Sequence, residues 1–261
     1  MTADTPLFSL SGLGFRLGAR ALLHDVTLDV PAGAITGLIG HNGSGKSTLL
    51  KILARQLRAS SGAVTFGGQR LERWGGRAFA RQVAYLPQHL PPTAGMLVEE
   101  LVALGRYPWH GALGRITGAG RQVVRAAIAD TGIAAFCGRQ VDTLSGGERQ
   151  RVWLAMLLAQ EPRCLLLDEP ISALDIAHQV EVLTLVRRLA LARGMGVVIV
   201  LHDVNMAARF CDGIVALKGG ELVARMPPEA LMVPEELRRI YGIDMDVMRQ
   251  PATGLPVALP R

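Results

Sequence analysis

The sequence predicts an α/β fold in which helices cover a mainly parallel sheet, with an antiparallel β segment and a helical insertion. In the C-terminal half, helical stretches alternate with short apolar runs at 164–167 and 197–201, as is typical of a parallel sheet wrapped by helices. In the N-terminal third, apolar and polar residues alternate with the two-residue period of half-buried strands. Between these regions, Gly and Pro interrupt the helical stretches.

The N-terminal zone, residues 1–88, contains the predicted antiparallel strands and the first part of the core. Val26, Leu28 and Val30 alternate with polar residues, which predicts a strand with one buried face. The apolar run 34–39 predicts a buried strand, and the spacing of apolar residues over 49–57 predicts a helix after it.

The other two zones complete a single predicted domain over residues 1–261. Residues 89–143 form a predicted helical subdomain, with helices over 97–105 and 122–132. Residues 144–261 form the second part of the core and a C-terminal segment. This last zone ends its core with two strands joined by the turn residues Lys218-Gly-Gly. We find no internal repeat, so the chain carries one such unit.

The stretch between the strand and helix of the N-terminal zone fits the phosphate-binding loop G-x-x-x-x-G-K-[ST]. We expect backbone N–H groups to close around phosphate oxygens, Lys46 to reach the β- and γ-phosphates, and the Ser47 hydroxyl to bind Mg²⁺. A glycine-rich turn between two core elements is the alternative. Composition argues against it, because only Lys46, Lys51 and Lys218 among 28 basic residues are lysine. The predicted nucleoside-triphosphate-binding residues are Gly40, His41, Asn42, Gly43, Ser44, Gly45, Lys46, Ser47 and Thr48.

Two carboxylates follow the predicted strand 164–167. At the end of a parallel strand, Asp168 is suited to hold Mg²⁺ through water, and Glu169 to polarise the attacking water as a general base. His202 follows the next apolar strand, where we expect it to contact the γ-phosphate. A hydrogen-bonded structural histidine is the alternative for His202.

The segment Leu144-Ser-Gly-Gly-Glu148 opens a predicted helix. Ser145 stands in the N-cap position and Glu148 three residues later, which is a capping box. This motif alone is compatible with a helix that is merely well capped. Two glycines beside the cap also permit a backbone to approach an anion closely.

Taken together, these motifs resemble those of an ABC-transporter ATPase. The resemblance covers residues from about Phe8 to Arg225 and rests on the order and spacing of six motifs. They are the phosphate loop 40–48, Val83-Ala-Tyr-Leu-Pro-Gln88, Leu144–Glu148, Asp168-Glu169, Ser172-Ala-Leu-Asp175 and His202. The resemblance implies a P-loop NTPase fold with a RecA-like core, ATP and Mg²⁺ as cofactors, and a homodimer in the ATP-bound state.

The resemblance also implies roles for individual residues. Ser145, Gly146 and Gly147 would bind the γ-phosphate of ATP held by the other subunit. Gln88 would sense Mg²⁺ and water, and Asp175 would order the dimer seam. Phe15 fits the aromatic that stacks on adenine, with a core position on an edge strand as the alternative. Ile171 stands where the family usually has Thr; we expect little catalytic consequence because Ile is also β-branched.

Further segments resemble importers of iron–siderophore, haem and vitamin B12 cargo. They are Arg106–Arg115, Leu165–Asp175 followed by Ile176-Ala-His-Gln179, and Leu201–Arg209. Within that group, Gly105–Gly114 and Leu38-Ile-Gly-His-Asn-Gly43 are most similar to the ferric hydroxamate importer ATPase. Pro108 and Gly111 predict a loop, whose Tyr107, Trp109 and His110 either contact a membrane permease or pack within the helical subdomain. The resemblance implies permease subunits and, indirectly, a substrate-binding protein as partners. An exporter ATPase and a soluble, non-transport ABC ATPase are the weaker alternatives.

Composition limits where the protein acts. The chain has no apolar run of the roughly 18–20 residues that span a bilayer and no signal-peptide pattern at its N-terminus. We therefore expect a peripheral protein on the cytoplasmic side of the inner membrane. The net charge of +6 comes from scattered arginines, which does not favour nucleic-acid binding. Cys137, Cys164 and Cys211 lack metal-site spacing and are predicted to be reduced core thiols.

Overall fold

The computed structural model describes residues 5–111 and 114–261. The chain forms two compact units. Unit 1 combines the N-terminal part up to Arg73 with Gly196–Arg261, and unit 2 is Trp74–Met195. Within the described ranges, no helix has both the length and the apolar character that crossing a bilayer requires.

The strands and helices follow one another largely as predicted. The strands are β1 (Phe8–Leu17), β2 (Arg20–Val30), β3 (Ile35–Ile39), β4 (Ser61–Phe66), β5 (Gln69–Arg70), β6 (Val83–Leu86), β7 (Cys164–Asp168), β8 (Gly196–Val200), β9 (Gly213–Lys218), β10 (Glu221–Met226), β11 (Met245–Arg249) and β12 (Pro256–Pro260). The helices are α1 (Lys46–Leu53), α2 (Gly76–Ala80), α3 (Val98–Leu104), α4 (Tyr107–His110), α5 (Gly118–Asp130), α6 (Gly146–Ala159), α7 (Ile176–Arg193), α8 (Val204–Phe210), α9 (Pro228–Leu231) and α10 (Pro234–Tyr241).

Unit 1 contains an antiparallel sheet and a set of mainly parallel strands. The antiparallel sheet has the order β2-β1-β4-β5, and the predicted alternation of β2 places Val26, Leu28 and Val30 in its buried positions. In the second set, β3 pairs in parallel with β8 and β9, while β10 runs antiparallel to β9. All five residues of β3 are buried. The strand is therefore covered on both faces, as its apolar sequence predicts.

Unit 2 pairs β6 and β7 in parallel and packs helices around α6. Helix α6 contacts α3, α5 and α7. Its first turn is the Leu144–Glu148 motif, and the buried residues over the rest of its length include Trp153 and Leu154. The boundaries that the sequence suggests for a helical subdomain, 89–143, stay a prediction.

The structure corrects some expectations about single segments. Helix α1 ends at Leu53 rather than continuing to Leu57, because Arg55 has a φ of 58° that no α-helix accommodates. Cys164 and Cys211 are buried free thiols, but Cys137 is exposed just after a 3₁₀ turn. The prediction of a core thiol was wrong for Cys137, because the loop leading to Gly138 lies at the surface.

Candidate active site

The phosphate-loop residues of unit 1 connect β3 to α1. The Lys46 ammonium donates hydrogen bonds to the backbone carbonyls of Gly40 and His41, both at 2.8 Å. These bonds hold the buried lysine against the loop that is predicted to receive phosphate. Ser47 and Thr48 follow in the first turn of α1. His41, Asn42 and Gly43 are exposed at the outer side of the loop.

Two glycines show why this loop needs its sequence. Gly40 has a φ of 135°, and a Cβ there would lie 2.1 Å from the Leu217 carbonyl oxygen. Gly45 has a φ of 100°, and a Cβ there would lie 2.6 Å from Leu23 Cδ2. Any side chain at either position would meet backbone or core atoms and require an unfavourable backbone conformation.

The loop has the features of a phosphate cradle. Ser44 is only 3% exposed, and its Oγ has no hydrogen-bond partner among the described residues. A buried hydroxyl without a partner is costly, so a ligand oxygen that binds it would remove that cost. The open backbone, the adjacent start of α1 and the lysine ammonium all favour an anion. The residues present therefore fit the phosphates of a nucleotide.

In unit 2, the two predicted catalytic side chains meet directly. Gln88, which follows β6, donates a hydrogen bond from Nε2 to Glu169 Oε2 at 2.7 Å. Glu169 follows β7 and has a φ of 51°, the left-handed region that non-glycine residues rarely occupy. The Ser172 hydroxyl donates to the Glu169 carbonyl at 3.2 Å. The carboxylate is thus oriented by a neighbour while its backbone is held in an uncommon conformation, as is typical of functional sites.

Asp168 lies at the end of β7 and is almost completely buried. The Tyr85 hydroxyl on β6 donates a long hydrogen bond to Asp168 Oδ2 at 3.4 Å. Burial, followed by the charge and hydrogen bond of Asp168, raises the pKa of Tyr85 well above its usual value. Tyr85 therefore stays a neutral donor. Sequence reasoning missed this contact, although β6 leads directly to the predicted Gln88.

The Leu144–Glu148 motif forms the capping box that its sequence predicts. The Glu148 N–H donates to Ser145 Oγ at 3.3 Å, and the Ser145 N–H donates to Glu148 Oε2 at 2.8 Å. This second bond is the largest cause of a lowered pKa for Glu148. Gly146 and Gly147 are the first two residues of α6.

Asp175 caps α7 and makes a pair with His178 that sequence reasoning missed. Asp175 accepts hydrogen bonds from the His178 N–H at 2.9 Å and contacts His178 Nδ1 at 2.7 Å. The His178 ring lies against Gly147, where a Cβ would come within 2.5 Å of His178 Cδ2. The helix-cap spacing from Asp175 to His178 is the signal that would have identified the pair.

A cleft of about 350 Å³ within unit 2 collects several of these residues. Gln88, Glu169, Gly146 and Ser172 lie on its walls, together with Arg149 of α6. Thr93 and Asp142 also line the cleft, and hydrogen bonds from the Thr93 hydroxyl and the Gly95 N–H to Asp142 lower the pKa of that carboxyl. The predicted catalytic pair, Gln88 and Glu169, therefore faces this cleft rather than the protein core.

The structure shows the burial of three residues that the sequence analysis singled out. Phe15, on β1, is 8% exposed and so has little surface for stacking on a base as it is packed here. His202 is exposed in the short connection between β8 and α8. Ile171 is buried next to Pro170, an environment that suits its apolar side chain. The roles of Phe15 and His202 stay predictions.

Residues 107–110 form the short helix α4, so the prediction of a loop was wrong. Pro108 occupies a position in the first turn, where its missing N–H costs no helical hydrogen bond. Trp109 Nε1 donates to the Gln160 carbonyl at 3.0 Å, and the guanidinium groups of Arg81 and Arg106 lie 4.7 and 4.6 Å from its ring centroid. Tyr107 is 52% exposed.

With this geometry in view, similarity to known proteins decides the family. The family described as "ABC transporter" matches residues 23–172. This chain belongs to the ABC transporter family. It is 40% identical over 251 residues to the iron(3+)-hydroxamate import ATP-binding protein FhuC of Bacillus subtilis (strain 168), covering 96% of this chain and 93% of that protein.

Two further comparisons extend this result. The chain is 40% identical over 256 residues to the hemin import ATP-binding protein HmuV of Shewanella denitrificans (strain OS217), covering 96% of this chain and 99% of that protein. It superposes with a TM-score of 0.87 and 25% identity on a chain of an inward-facing metal-chelate type ABC transporter, covering 98% of both chains.

This ABC transporter family member is an ATPase with the predicted α/β fold. The resemblance inferred from the motifs, the fold class and the enzyme class are confirmed, and ATP is its nucleotide. The family match runs from β2 to Ser172, and the two relatives each cover 96% of the chain. They do not assign the individual site residues, whose roles are proposals.

Proposed function

We propose that this chain is the ATP-hydrolysing subunit of a membrane importer for ferric hydroxamate siderophores. Two copies would bind two ATP molecules between them beneath permease subunits, and hydrolysis would reopen the dimer. A substrate-binding protein would deliver cargo to the permease without touching this chain. The protein would lie peripherally on the cytoplasmic side of the inner membrane, and nucleic acid is not an expected partner.

The observation that carries the hydrolytic role is the 2.7 Å hydrogen bond from Gln88 to Glu169. Glu169 would act as the general base that takes a proton from the attacking water, and Gln88 would orient that carboxylate and the water. Lys46 and the loop N–H groups would stabilise the charge on the transferred phosphate, with His202 as a further contact. Phe15 would lie near the adenine.

Mg²⁺ fits the oxygen donors proposed for it. The hydroxyl of Ser47, the amide oxygen of Gln88 and the carboxylate of Asp168 are ligand types that Mg²⁺ prefers, partly through water. When bound, Mg²⁺ would neutralise phosphate charge. Tyr85 supports the proposal because its hydroxyl donates a hydrogen bond to one Asp168 oxygen and so helps to orient that carboxylate.

The proposed homodimer is supported by the exposure of two residues that are predicted to contact the other copy. Asp175 and Ser145 are the exposed N-caps of α7 and α6. Ser145, Gly146 and Gly147 would bind the γ-phosphate of the ATP held by the other copy, and Asp175 would order the seam. Each active site would then need both copies.

Mixed dimers test this composite site. Ser145→Arg subunits and Lys46→Ala subunits should each be inactive alone. A mixed dimer contains one site with both defects and one with neither, so ATPase activity should return in part. Absence of recovery in dimers verified by mass would contradict the composite site. Recovery would also support the proposed roles of both residues.

The cargo is tested by growth. A deletion strain should fail to grow on ferric hydroxamates as sole iron source and grow normally on free iron salts. Complementation with the wild-type gene should restore growth, whereas Glu169→Gln should not. The hemin import relative is equally identical to this chain, at 40%, so growth on hemin is the necessary comparison. Loss of growth on hemin with normal hydroxamate uptake would transfer the proposal to haem import.

A further inference from the structure

The phosphate loop is closed against a C-terminal part of unit 1 that lies outside the family match at 23–172. The Gly220 N–H, in the turn between β9 and β10, donates to the Ser44 carbonyl at 3.2 Å. The Leu217 carbonyl, at the end of β9, lies where a side chain on Gly40 would have to be. The hairpin therefore fixes the loop backbone at two points.

A third contact comes from α10. Tyr241, its last residue, meets the His41 ring edge-on, with ring centroids 5.7 Å apart and an interplanar angle of 73°. This geometry is one that aromatic pairs prefer. His41 is also the residue whose carbonyl accepts a hydrogen bond from the Lys46 ammonium at 2.8 Å. A contact that fixes His41 therefore bears on the position of the lysine.

Tyr241 is itself firmly placed. Pro234 begins α10, and Gly242 ends it in the left-handed conformation. Lys218 of β9 donates from Nζ to the Arg239 carbonyl at 2.7 Å, which ties the helix to the hairpin. The end of α10 is therefore hydrogen-bonded to the same hairpin that contacts the loop.

The Tyr241 ring, rather than its hydroxyl, makes the contact with the loop. Its hydroxyl oxygen is buried, with no hydrogen-bond partner in the part of the chain that the structure describes. Burial, and to a lesser extent the charge of Asp203, raises the pKa of Tyr241 to about 12. The side chain is therefore neutral at physiological pH and behaves as an aromatic ring.

We propose that Tyr241 is a positioning residue for nucleotide binding, acting through His41 to hold the phosphate loop in its binding conformation. The proposal rests on the proposed role of residues 40–48 as the ATP phosphate site. It assigns α10 and the β9–β10 turn a function in ATP affinity. Tyr241 need not touch the nucleotide.

The test is a double-mutant cycle on the affinity of the full-length chain for ATP, measured by calorimetry. Tyr241→Leu keeps apolar bulk but removes the ring, and His41→Ala removes its partner from an exposed position. Each single variant should weaken ATP binding by roughly 2- to 12-fold, as expected for one aromatic pair. The double variant should bind ATP no more weakly than the single variant with the lower ATP affinity. Tyr241→Phe is the matched control and should bind ATP as the wild type does.

Several results would overturn the proposal. Wild-type ATP affinity of Tyr241→Leu would mean that the Tyr241 ring does not affect binding. Strictly additive effects in the cycle would mean that Tyr241 does not act through His41. A lowered melting temperature with unchanged affinity would give Tyr241 only a structural role. Lys46→Ala separates this failure from that of the proposed site. If Lys46→Ala also binds ATP normally, residues 40–48 are not the phosphate site; if only Lys46→Ala fails to bind, the site stands and Tyr241 does not position it.

Discussion

At the scale of single residues, Glu169 combines features that few surface carboxylates share. Its backbone has a φ of 51°, its side chain accepts a 2.7 Å hydrogen bond from Gln88, and its carbonyl accepts one from Ser172. A left-handed non-glycine residue costs on the order of 1 kcal/mol or more and persists only where neighbours enforce it. The turn after β7 therefore has an unfavourable backbone conformation at Glu169, and this conformation sets the direction of the Glu169 carboxylate.

The Asp175–His178 pair predicts a pH-dependent stability. The hydrogen bond and charge of Asp175 raise the pKa of His178 above 6.5, with a smaller effect of Glu181 in the same direction and of Arg151 in the opposite one. The stabilisation is therefore complete below pH 6.5 and is lost as the pH rises through the raised pKa of the folded state. Asp175, whose pKa the His178 N–H lowers from 3.8, loses its contribution only as the pH falls through that lowered value.

Thermal unfolding of the wild type and His178→Gln checks this prediction. The wild type should be the more stable protein near pH 6, and the difference should shrink at about pH 9. Asp175→Asn should reduce the pH dependence in the same way. A difference between wild type and His178→Gln that stays constant with pH would show that the pair is not ionised as described.

At the scale of elements, a substitution at the start of α6 distinguishes a role in helix capping from a role in nucleotide binding. Ser145→Ala removes an N-cap and should cost about 1 kcal/mol of stability. If Ser145 also completes the site of the other copy, ATPase activity should fall far more than that loss explains. Thr117→Ala is the matched control, because Thr117 caps α5 by accepting from the Gly120 N–H at 3.1 Å. Equal, small losses of activity in both variants would leave Ser145 as a cap only.

Helix α4 offers a comparison between two aromatic residues. Both are candidates for the proposed contact with the permease. Trp109 is 40% exposed but is hydrogen-bonded to Gln160 and lies near two arginines. Tyr107 is 52% exposed. Tyr107→Ala should weaken permease association, by about 2 kcal/mol if Tyr107 is a buried anchor there, and leave the melting temperature unchanged. Trp109→Ala should weaken permease association and also lower the melting temperature, because it removes contacts within unit 2.

Co-purification with the permease and thermal unfolding of the isolated chain measure the two effects. ATPase activity of the isolated chain should stay near normal in Tyr107→Ala. Normal permease association of both variants would remove α4 from the proposed interface.

At the scale of the whole molecule, the sequence predicted best those features that local chemistry determines. The glycines of the phosphate loop, the capping box at Ser145 and the alternation in β2 each specify a conformation within a few residues, and the structure has all three. Helix α4 was missed because proline in a first turn resembles proline in a loop. The exposure of Cys137 was missed because hydrophobicity alone does not place a loop.

Contacts between distant segments were beyond sequence reasoning. Tyr241 lies 200 positions from His41 in the chain, and Tyr85 meets Asp168 only because β6 and β7 pair in register. No local pattern marks such a contact, since it depends on how strands and helices fold back on each other. Tyr85 stands in an apolar run and Tyr241 ends a charged helix, so neither has a sequence context that marks its contact.

The most direct test of the account is Glu169→Gln, which keeps the size of the side chain and removes its basicity. ATP binding should remain at wild-type strength, while turnover should fall by roughly 10²- to 10⁴-fold, the usual contribution of a general base. Because the bound ATP persists, dimers should accumulate when ATP is added, as measured by light scattering. Hydrolysis of ATP by Glu169→Gln at a near wild-type rate would contradict the assignment of Glu169 as the base.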